Sequence, residues 1–344
     1  MANERIAVIG VGGIGGVVGG MLAKAGHDVT LVDQWPENVE AIRAKGLTVE
    51  TPDGTHNVKA KALHLHELQS VAEPFDFAFI AVKSYDTEWA TRLAQLYVRR
   101  GGAFVSYQNA INDERIAAIV GRENTMGCVI TISAGMYEPG VAMRTDNYGN
   151  GFKIGELTGK ITPRAERLAE IMGDVGGTHV TDNLMGERWS KLMINSMTNA
   201  VAGVTGYSTR KVRSDPQTVA IGIQLGAEAI RVAKAHGYRP GVAMGLEPEA
   251  IVDAAEGRGI EEVVGKIRDA GQLNSEAGKP SFLQDVIKGR RTEVEYLNGY
   301  VSAKGREKGV PTPWNDMVVE IVNGLGVGFK SDPKHIEPLV RMLG

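Results

Sequence analysis

The run Ile6-Ala7-Val8-Ile9-Gly10-Val11-Gly12-Gly13-Ile14-Gly15-Gly16 constrains this chain more than any other stretch. Four apolar residues read as a short buried strand, the glycines as a tight turn, and residues 17–25 as a helix closed by Gly26. Gly10, Gly12 and Gly15 stand at the G-x-G-x-x-G spacing. The first glycine permits the sharp turn, the second lets a pyrophosphate approach the backbone, and the third lets helix and strand pack closely. Free N–H groups and the positive dipole end of the helix favour the phosphates. Gly13 and Ile14, inside the same turn, complete a candidate dinucleotide cradle.

A second strand, residues 28–33 (D-V-T-L-V-D), ends in Asp33. An acid at that end accepts hydrogen bonds from a ribose 2′-OH and repels a 2′-phosphate. A turn or helix-capping Asp is the competing reading. Trp35 follows closely enough to flank an adenine.

The chain has 344 residues, enough for two domains, with 43% hydrophobic and 23% charged residues. A net charge of −3 points to neither nucleic acid nor an anionic membrane surface. The single cysteine, Cys128, makes no intrachain disulfide, and no cysteine cluster suggests structural zinc. No apolar run reaches the roughly 18 residues of a membrane span. The first strand begins by Ile6, which leaves no room for a leader peptide, so a cytoplasmic protein is expected.

Further along, residues 37–45 read as a helix, and 47–51 with 56–62 as a hairpin around Pro52-Asp53-Gly54. His64 and His66 are two apart, but no third ligand is evident, so no metal is expected. Residues 76–82 form an apolar strand followed by Lys83, which faces either a cofactor crevice or solvent. Residues 88–99 read as an amphipathic helix, and 103–107 as a strand leading into Gln108-Asn109-Ala110. Residues 125–132 form another strand, with 141–144 and 152–156 as antiparallel additions around a 147–151 loop. From Glu187 onward strand patterns vanish: 187–202, 217–236, 248–270, 292–308 and 314–323 all read as helices. The expected architecture is α/β: a Rossmann-type doubly wound sheet over residues 1–182 and an all-helical domain over 187–344.

One helix carries a polar stripe. Lys191, Asn195 and Asn199 are spaced i, i+4, i+8, about 12 Å along one face, among Leu192, Met193, Ile194 and Met197. Asn is a mediocre helix former, and polar groups on an apolar helix need partners or a ligand; an ordinary solvated face is the alternative. Two further clusters are Thr292-Glu293-Val294-Glu295-Tyr296-Leu297-Asn298-Gly299 and Ser281-Phe282-Leu283-Gln284-Asp285.

Taken together, the glycine turn, Ala81-Val82-Lys83, Gln108-Asn109, Trp189-Ser190-Lys191-Leu192 with Asn195 and Asn199, Ser281 with Gln284-Asp285, and the 292–299 run resemble the ketopantoate reductase family over most of the chain. The resemblance implies a Rossmann domain, a helical domain similar to the C-terminal domain of 6-phosphogluconate dehydrogenase, and an active site in the cleft between them. It implies Lys191 as general acid and Glu293 as its orienting partner or a holder of a substrate hydroxyl. It implies Asn195, Asn199 and Ser281 on substrate, and Lys83 and Asn109 at the nicotinamide. The implied reaction is hydride transfer between NAD(P)H and a small 2-oxo acid.

The chain departs from the family pattern in three ways. Ala110 replaces the glycine of the Q-N-G segment. Asp33-Gln34-Trp35 stands where NADPH-using members commonly carry a basic residue, which favours NAD over NADP. Extra residues lie around 241–278 and at the C-terminus. A different oxo or hydroxy acid, used in either direction, therefore competes with ketopantoate. A non-catalytic NAD(P)-binding sensor has no need of Lys191 and Glu293 together. Apolar helix faces leave a homodimer open.

Overall fold

The computed structural model describes residues 4–146, 151–274 and 278–344. The chain divides into two compact units, Met1–Leu184 and Met185–Gly344.

In the first unit β1 (Arg5–Ile9) runs through the glycine turn into α1 (Gly13–Lys24), then β2 (Asp28–Asp33) and α2 (Pro36–Lys45). Helix α1 starts at Gly13, four residues before the expected Val17, because the turn's own glycines adopt helical geometry. There follow β3 (Leu47–Thr51), β4 (Gly54–Val58), β5 (Lys61–His64), β6 (Phe75–Ile80), α3 (Thr87–Ala94) and β7 (Val98–Ser106). The unit continues with α4 (Asp113–Val120), β8 (Thr125–Ile130), β9 (Ala134–Glu138), β10 (Val141–Arg144), β11 (Phe152–Glu156), α5 (Pro163–Gly173) and β12 (Thr178–Val180).

Six parallel strands in the order β5-β2-β1-β6-β7-β8 form the heart of an eight-stranded sheet, extended by antiparallel β11 and then β12. Alternation along β1 sends Ile6 and Val8 to one buried face and Ala7 and Ile9 to the other. The crossover reverses between β1 and β6, and in such sheets ligands bind outside the carboxyl ends at the reversal. A second sheet, β4-β3-β10-β9, packs against α1.

Several expectations are corrected. The 56–62 strand is two pieces: β4 closes the hairpin at Val58, and β5 leaves to pair parallel with β2. The 88–99 helix stops at Ala94, because Val98 pairs with Phe75 and Arg99 reaches Asp76, extending β7 backwards. The 141–144 and 152–156 strands lie in different sheets: β10 runs parallel to β3, while β11 is antiparallel to β8. The loop expected between them lies, at 147–150, outside the described residues.

The second unit is built on α6 (Leu184–Thr205), α7 (Thr209–Val212), α8 (Pro216–Ala235), α9 (Pro248–Ala255) and α10 (Ile260–Gln272). It finishes with α11 (Ser281–Ile287), α12 (Asn298–Lys308), α13 (Pro313–Leu325) and α14 (Glu337–Arg341). The single helix expected over 248–270 is broken by Gly257 and Gly259, both at positive φ. The helix expected over 292–308 starts only at Asn298: Val294–Tyr296 form a 3₁₀ turn, and Leu297 (φ −102°, ψ −93°) leaves helical geometry. Among the described residues no helix is long and apolar enough to cross a membrane.

Inside this unit a buried carboxylate organises three helices. Glu228 on α8 accepts from the N–H groups of Trp314 and Asn315 in the first turn of α13, both at 2.9 Å, and from Asn315 Nδ2 at 2.7 Å. Asn298 Nδ2 on α12 donates to Asn315 Oδ1 at 2.9 Å. Burial pushes the Glu228 carboxyl up despite these donors. Glu228→Ala strands two helix-terminal N–H groups and leaves Asn315 Nδ2 with Leu225 O at 3.2 Å. It is expected to cost about 2–4 kcal/mol, read as a lowered thermal or denaturant midpoint; an unchanged midpoint would remove Glu228 from this role.

Candidate active site

The candidate cofactor residues lie at the carboxyl ends of four adjacent strands. Gly10 follows β1, Asp33 ends β2, Lys83 follows β6 and Asn109 follows β7. Gly10 has φ +97°, and a Cβ there would lie 2.8 Å from Val82 N. A Cβ on Gly15 would be driven into the carbonyl oxygen of Gly10, and one on Gly13 would lie 2.7 Å from Gly135 N. Gly12 differs: a Cβ there meets nothing within 4 Å. Gly12 is also the N-cap of α1 and supplies no side chain to its amides. Three glycines are thus required by the protein's own packing, whereas Gly12 leaves open space before a helix N-terminus. These residues fit a dinucleotide pyrophosphate. Ile14 packs its side chain partly on the core, so its contribution to the cradle is main chain.

Asp33 is buried, and its carboxylate is already engaged. Oδ1 accepts from Gln34 N at 2.8 Å and Oδ2 from Asn38 Nδ2 at 2.6 Å. Burial raises its pKa, and these donors oppose the rise. The turn role weighed for Asp33 is therefore real, and its remaining lone pairs are what a ribose hydroxyl would meet. Asn38, not singled out from the sequence, is fully buried and also joins Val11 O (3.0 Å) and Gly140 N (2.8 Å). Its only signal was an Asn in the first turn of a helix after Pro36, where a capping residue is unremarkable. Trp35 is half-buried against the core, which ties down the ring expected to flank an adenine.

Two loops meet at the other end of this row. Gln108 Nε2 donates to Val82 O at 2.9 Å and to Thr87 Oγ1 at 2.8 Å. Asn112 Nδ2 donates to Ser84 Oγ at 3.0 Å and to Asn109 O at 3.1 Å. The loop carrying Lys83 and the loop carrying Asn109 are therefore cross-tied by buried amides. Between those ties Ala110 sits at φ +64°, the left-handed region where a glycine is free of strain.

In the second unit, α6 carries Lys191, Asn195 and Asn199 in one line, as the spacing requires. Lys191 is half-buried; Asn195 and Asn199 are buried. Asn195 Nδ2 is sealed from solvent and has no hydrogen-bond partner among the described residues, a costly state for an amide. One turn past Asn199, Gly203 lies beneath the ring of Phe282, which seats the start of α11, and with it Ser281, at the end of the stripe. On the other flank Asn298 Nδ2 reaches Ser196 O at 3.5 Å. Glu293 is buried in the turn leading into α12, not on a helix, and its carbonyl accepts from Tyr296 N and Leu297 N at 3.0 Å. The start of the helix expected from 292 is thus replaced, at Glu293, by a turn.

Among the described residues no three His, Cys, Asp or Glu side chains are grouped to hold a metal ion. His64 instead contacts Glu40 at 2.6 Å and stacks on His66.

Comparison with known proteins matches both halves. Residues 6–159 match the family described as ketopantoate reductase PanE/ApbA, and residues 183–326 match its C-terminal domain. The 2-dehydropantoate 2-reductase of Archaeoglobus fulgidus is 28% identical over 332 residues, covering 96% of this chain and all of that protein. Among solved structures, D-mandelate dehydrogenase with NADH and anilino(oxo)acetate aligns over 93% of this chain and 97% of its own, at 22% identity and a TM-score of 0.80. The 2-dehydropantoate 2-reductase of Geobacter metallireducens aligns over 93% and 99%, at 23% identity and the same TM-score. With both of its halves matched in order over nearly the whole chain, this protein belongs to the ketopantoate reductase (PanE/ApbA) family.

Proposed function

We propose that this chain is a nicotinamide-dependent oxidoreductase that reduces a small 2-oxo acid, with Lys191 as proton donor. Family membership supports the coarse activity. The observation that carries the residue assignment is the α6 stripe, in which Lys191 stands in line with a buried Asn195 whose amide nitrogen lacks a partner among the described residues. Bound nicotinamide supplies the hydride. As the carbonyl carbon accepts it, charge grows on oxygen, and the Lys191 ammonium donates first a hydrogen bond and then its proton. Asn195, Asn199 and Ser281 hold the carboxylate and any hydroxyl of the substrate. Glu293 orients Lys191 or takes a substrate hydroxyl. Lys83 and Asn109, fixed by the Gln108 and Asn112 ties, serve the nicotinamide end. Oxidation of reduced nicotinamide against a panel of 2-oxo acids, ketopantoate included, tests the reading; no turnover with any of them rejects it.

NAD(H) is the favoured cofactor. Asp33 presents a carboxylate where a 2′-phosphate would lie. Of the two basic residues of α2, Arg43 and Lys45, Arg43 is committed: it donates to Ala62 O at 3.0 Å, pairs with Glu40 at 3.3 Å and also pairs with Glu67. NADH is expected to bind at least tenfold tighter than NADPH at neutral pH. Because Asp33 has a raised pKa, lowering the pH neutralises it earlier than an ordinary Asp, and the gap should narrow on the acid side. Titration of both cofactors at two pH values decides it; tighter NADPH binding overturns the assignment.

A substrate other than ketopantoate is the second reading, favoured by Ala110 in the Asn109 loop at a left-handed φ. Its Cβ gives that loop a wall that glycine lacks. Ketopantoate turnover at a kcat/KM of roughly 10⁵ M⁻¹s⁻¹ or more, as in well-adapted enzymes, would count against it.

A further inference from the structure

In the reaction as described, Glu293 acts from a turn, so its placement depends on what holds that turn. The turn is tightly closed. Glu293 O accepts from Tyr296 N and Leu297 N, both at 3.0 Å, and Leu297 O accepts from Val301 N at 3.3 Å as α12 begins. Folding the turn back onto α12 requires Gly299, where a Cβ would lie 3.3 Å from Val294 O and 2.9 Å from Glu295 Oε2. Helix α13 ties the turn at two residues eight apart, about 12 Å along its axis. Asn323 Nδ2 donates to Glu295 Oε1 at 2.7 Å, and Asn315 Oδ1 accepts from Asn298 Nδ2 at 2.9 Å.

The tie at Asn298 continues to α6. Its Nδ2 lies 3.5 Å from Ser196 O, one residue beyond Asn195 of the Lys191 stripe. The direction of this amide is fixed by its neighbours. Glu228 accepts from Trp314 N, Asn315 N and Asn315 Nδ2, and Leu225 O lies 3.2 Å from the same Nδ2. Asn315 Nδ2 is therefore spent on α8, its Oδ1 is left for α12, and Asn298 has to present a donor. The arrangement has a cost. Asn298 is fully buried, and its Oδ1 has no hydrogen-bond partner among the described residues. A sealed, unmet acceptor costs at least as much as one neutral hydrogen bond contributes, so the bond to Asn315 does not by itself account for an asparagine here.

We infer that Asn298 is a positioning residue of the reaction: backed by Asn315 and Glu228, it fixes the Glu293 turn against α6 and so sets where the Glu293 carboxylate stands relative to the Lys191 stripe. Sealed from solvent, Asn298 meets no substrate itself. Five positions separate it from Glu293, but the bond from Leu297 N to Glu293 O closes them into one turn, so a shift at Asn298 reaches Glu293 with little slack. The inference rests on the 2-oxo acid reductase reading above, in which Glu293 acts on Lys191 or on a substrate hydroxyl, and adds the residue that aims it.

The test is a double-variant cycle on kcat and KM, run with NADH and whichever of ketopantoate, pyruvate and phenylglyoxylate the unaltered enzyme reduces fastest. The temperature is kept well below the melting midpoint of every variant, so that folded enzyme is compared with folded enzyme. Asn298→Ala should lower kcat about tenfold or more in the unaltered background, and less than twofold in the Glu293→Ala background, because a carboxylate that is absent cannot be misplaced. Asn298→Ser, which keeps a small donor, should show the same pattern at about threefold and serves where the alanine variant does not fold. An equal fold loss in both backgrounds is what a merely structural role gives. That result, or a kcat within twofold of the original in Asn298→Ala, overturns the inference while leaving the reductase reading standing. Absence of turnover by the unaltered enzyme with all three acids overturns both.

Discussion

Lys191→Ala is expected to lower kcat by roughly 10²- to 10⁴-fold, the usual worth of a general acid, with dinucleotide affinity nearly unchanged. Hydride arrival makes an alkoxide, and the reaction stalls unless that oxygen is protonated as its charge develops. Lys191 lies on α6 in line with two buried asparagines. The glycine cradle and Asp33 belong to other elements, so removal of the lysine should leave cofactor binding alone. Glu293→Ala should also slow the reaction. If Glu293 acts by orienting Lys191, the double variant should be little worse than Lys191→Ala, because groups acting as a unit do not add. The measurement is kcat for both single variants and the double, with NADH Kd for each. Near-normal kcat in Lys191→Ala removes it from the chemistry.

The second large effect separates two glycines three residues apart. Gly15→Ala forces a methyl group into the Gly10 carbonyl, a backbone atom with no room to retreat. It should destabilise the first unit by about 3 kcal/mol or more and lose dinucleotide binding as a result. Gly12→Ala puts its methyl group in open space at φ −82°, so the protein should melt as before. If the pyrophosphate approaches at Gly12, as proposed, that methyl group stands in its way and NADH should bind at least tenfold more weakly. Thermal melts and NADH titrations of the two variants suffice. A Gly12→Ala protein that binds NADH as tightly as the original would place the pyrophosphate elsewhere.

What the sequence disclosed divides by range. The β1–α1–β2 unit was legible because turn chemistry and apolar runs act over a few residues, and the Lys191 stripe because helical spacing is local. Strand partners were not: nothing within residues 56–64 says that the chain leaves one sheet at Val58 and joins another at Lys61, since the deciding contacts are with Thr30–Asp33. Glu293 was legible as a residue but not in its placement. No Gly or Pro at Leu297 announces the break; the next residue, Asn298, is held from far along the chain, by Asn315 of α13 at 2.9 Å and by Ser196 O of α6 at 3.5 Å. Asn38 escaped notice for the same reason, and Ser190 stood out only as part of a run and not for its contact: an Asn near a helix start and a Ser within a helix acquire roles only through Asp33, Gly140 and Gly241, up to 102 positions away.

The second sheet has an evolutionary consequence. Helix α1 is gripped on several sides: a Cβ on Gly19 would meet Leu31 of the main sheet at 2.5 Å, one on Gly20 would meet Val49 of the small sheet at 2.6 Å, and one on Gly16 would meet Ala142 at 2.8 Å. Sliding or thickening α1 would therefore have to move neighbours in both sheets at once. Changes of cofactor are channelled instead into residues 33–35 and into the acids that hold Arg43. A laboratory search for an altered cofactor would therefore randomise Asp33, Glu40 and Glu67 together and leave the glycines untouched. Substituting Asp33 alone removes a repulsion but frees no cation to replace it.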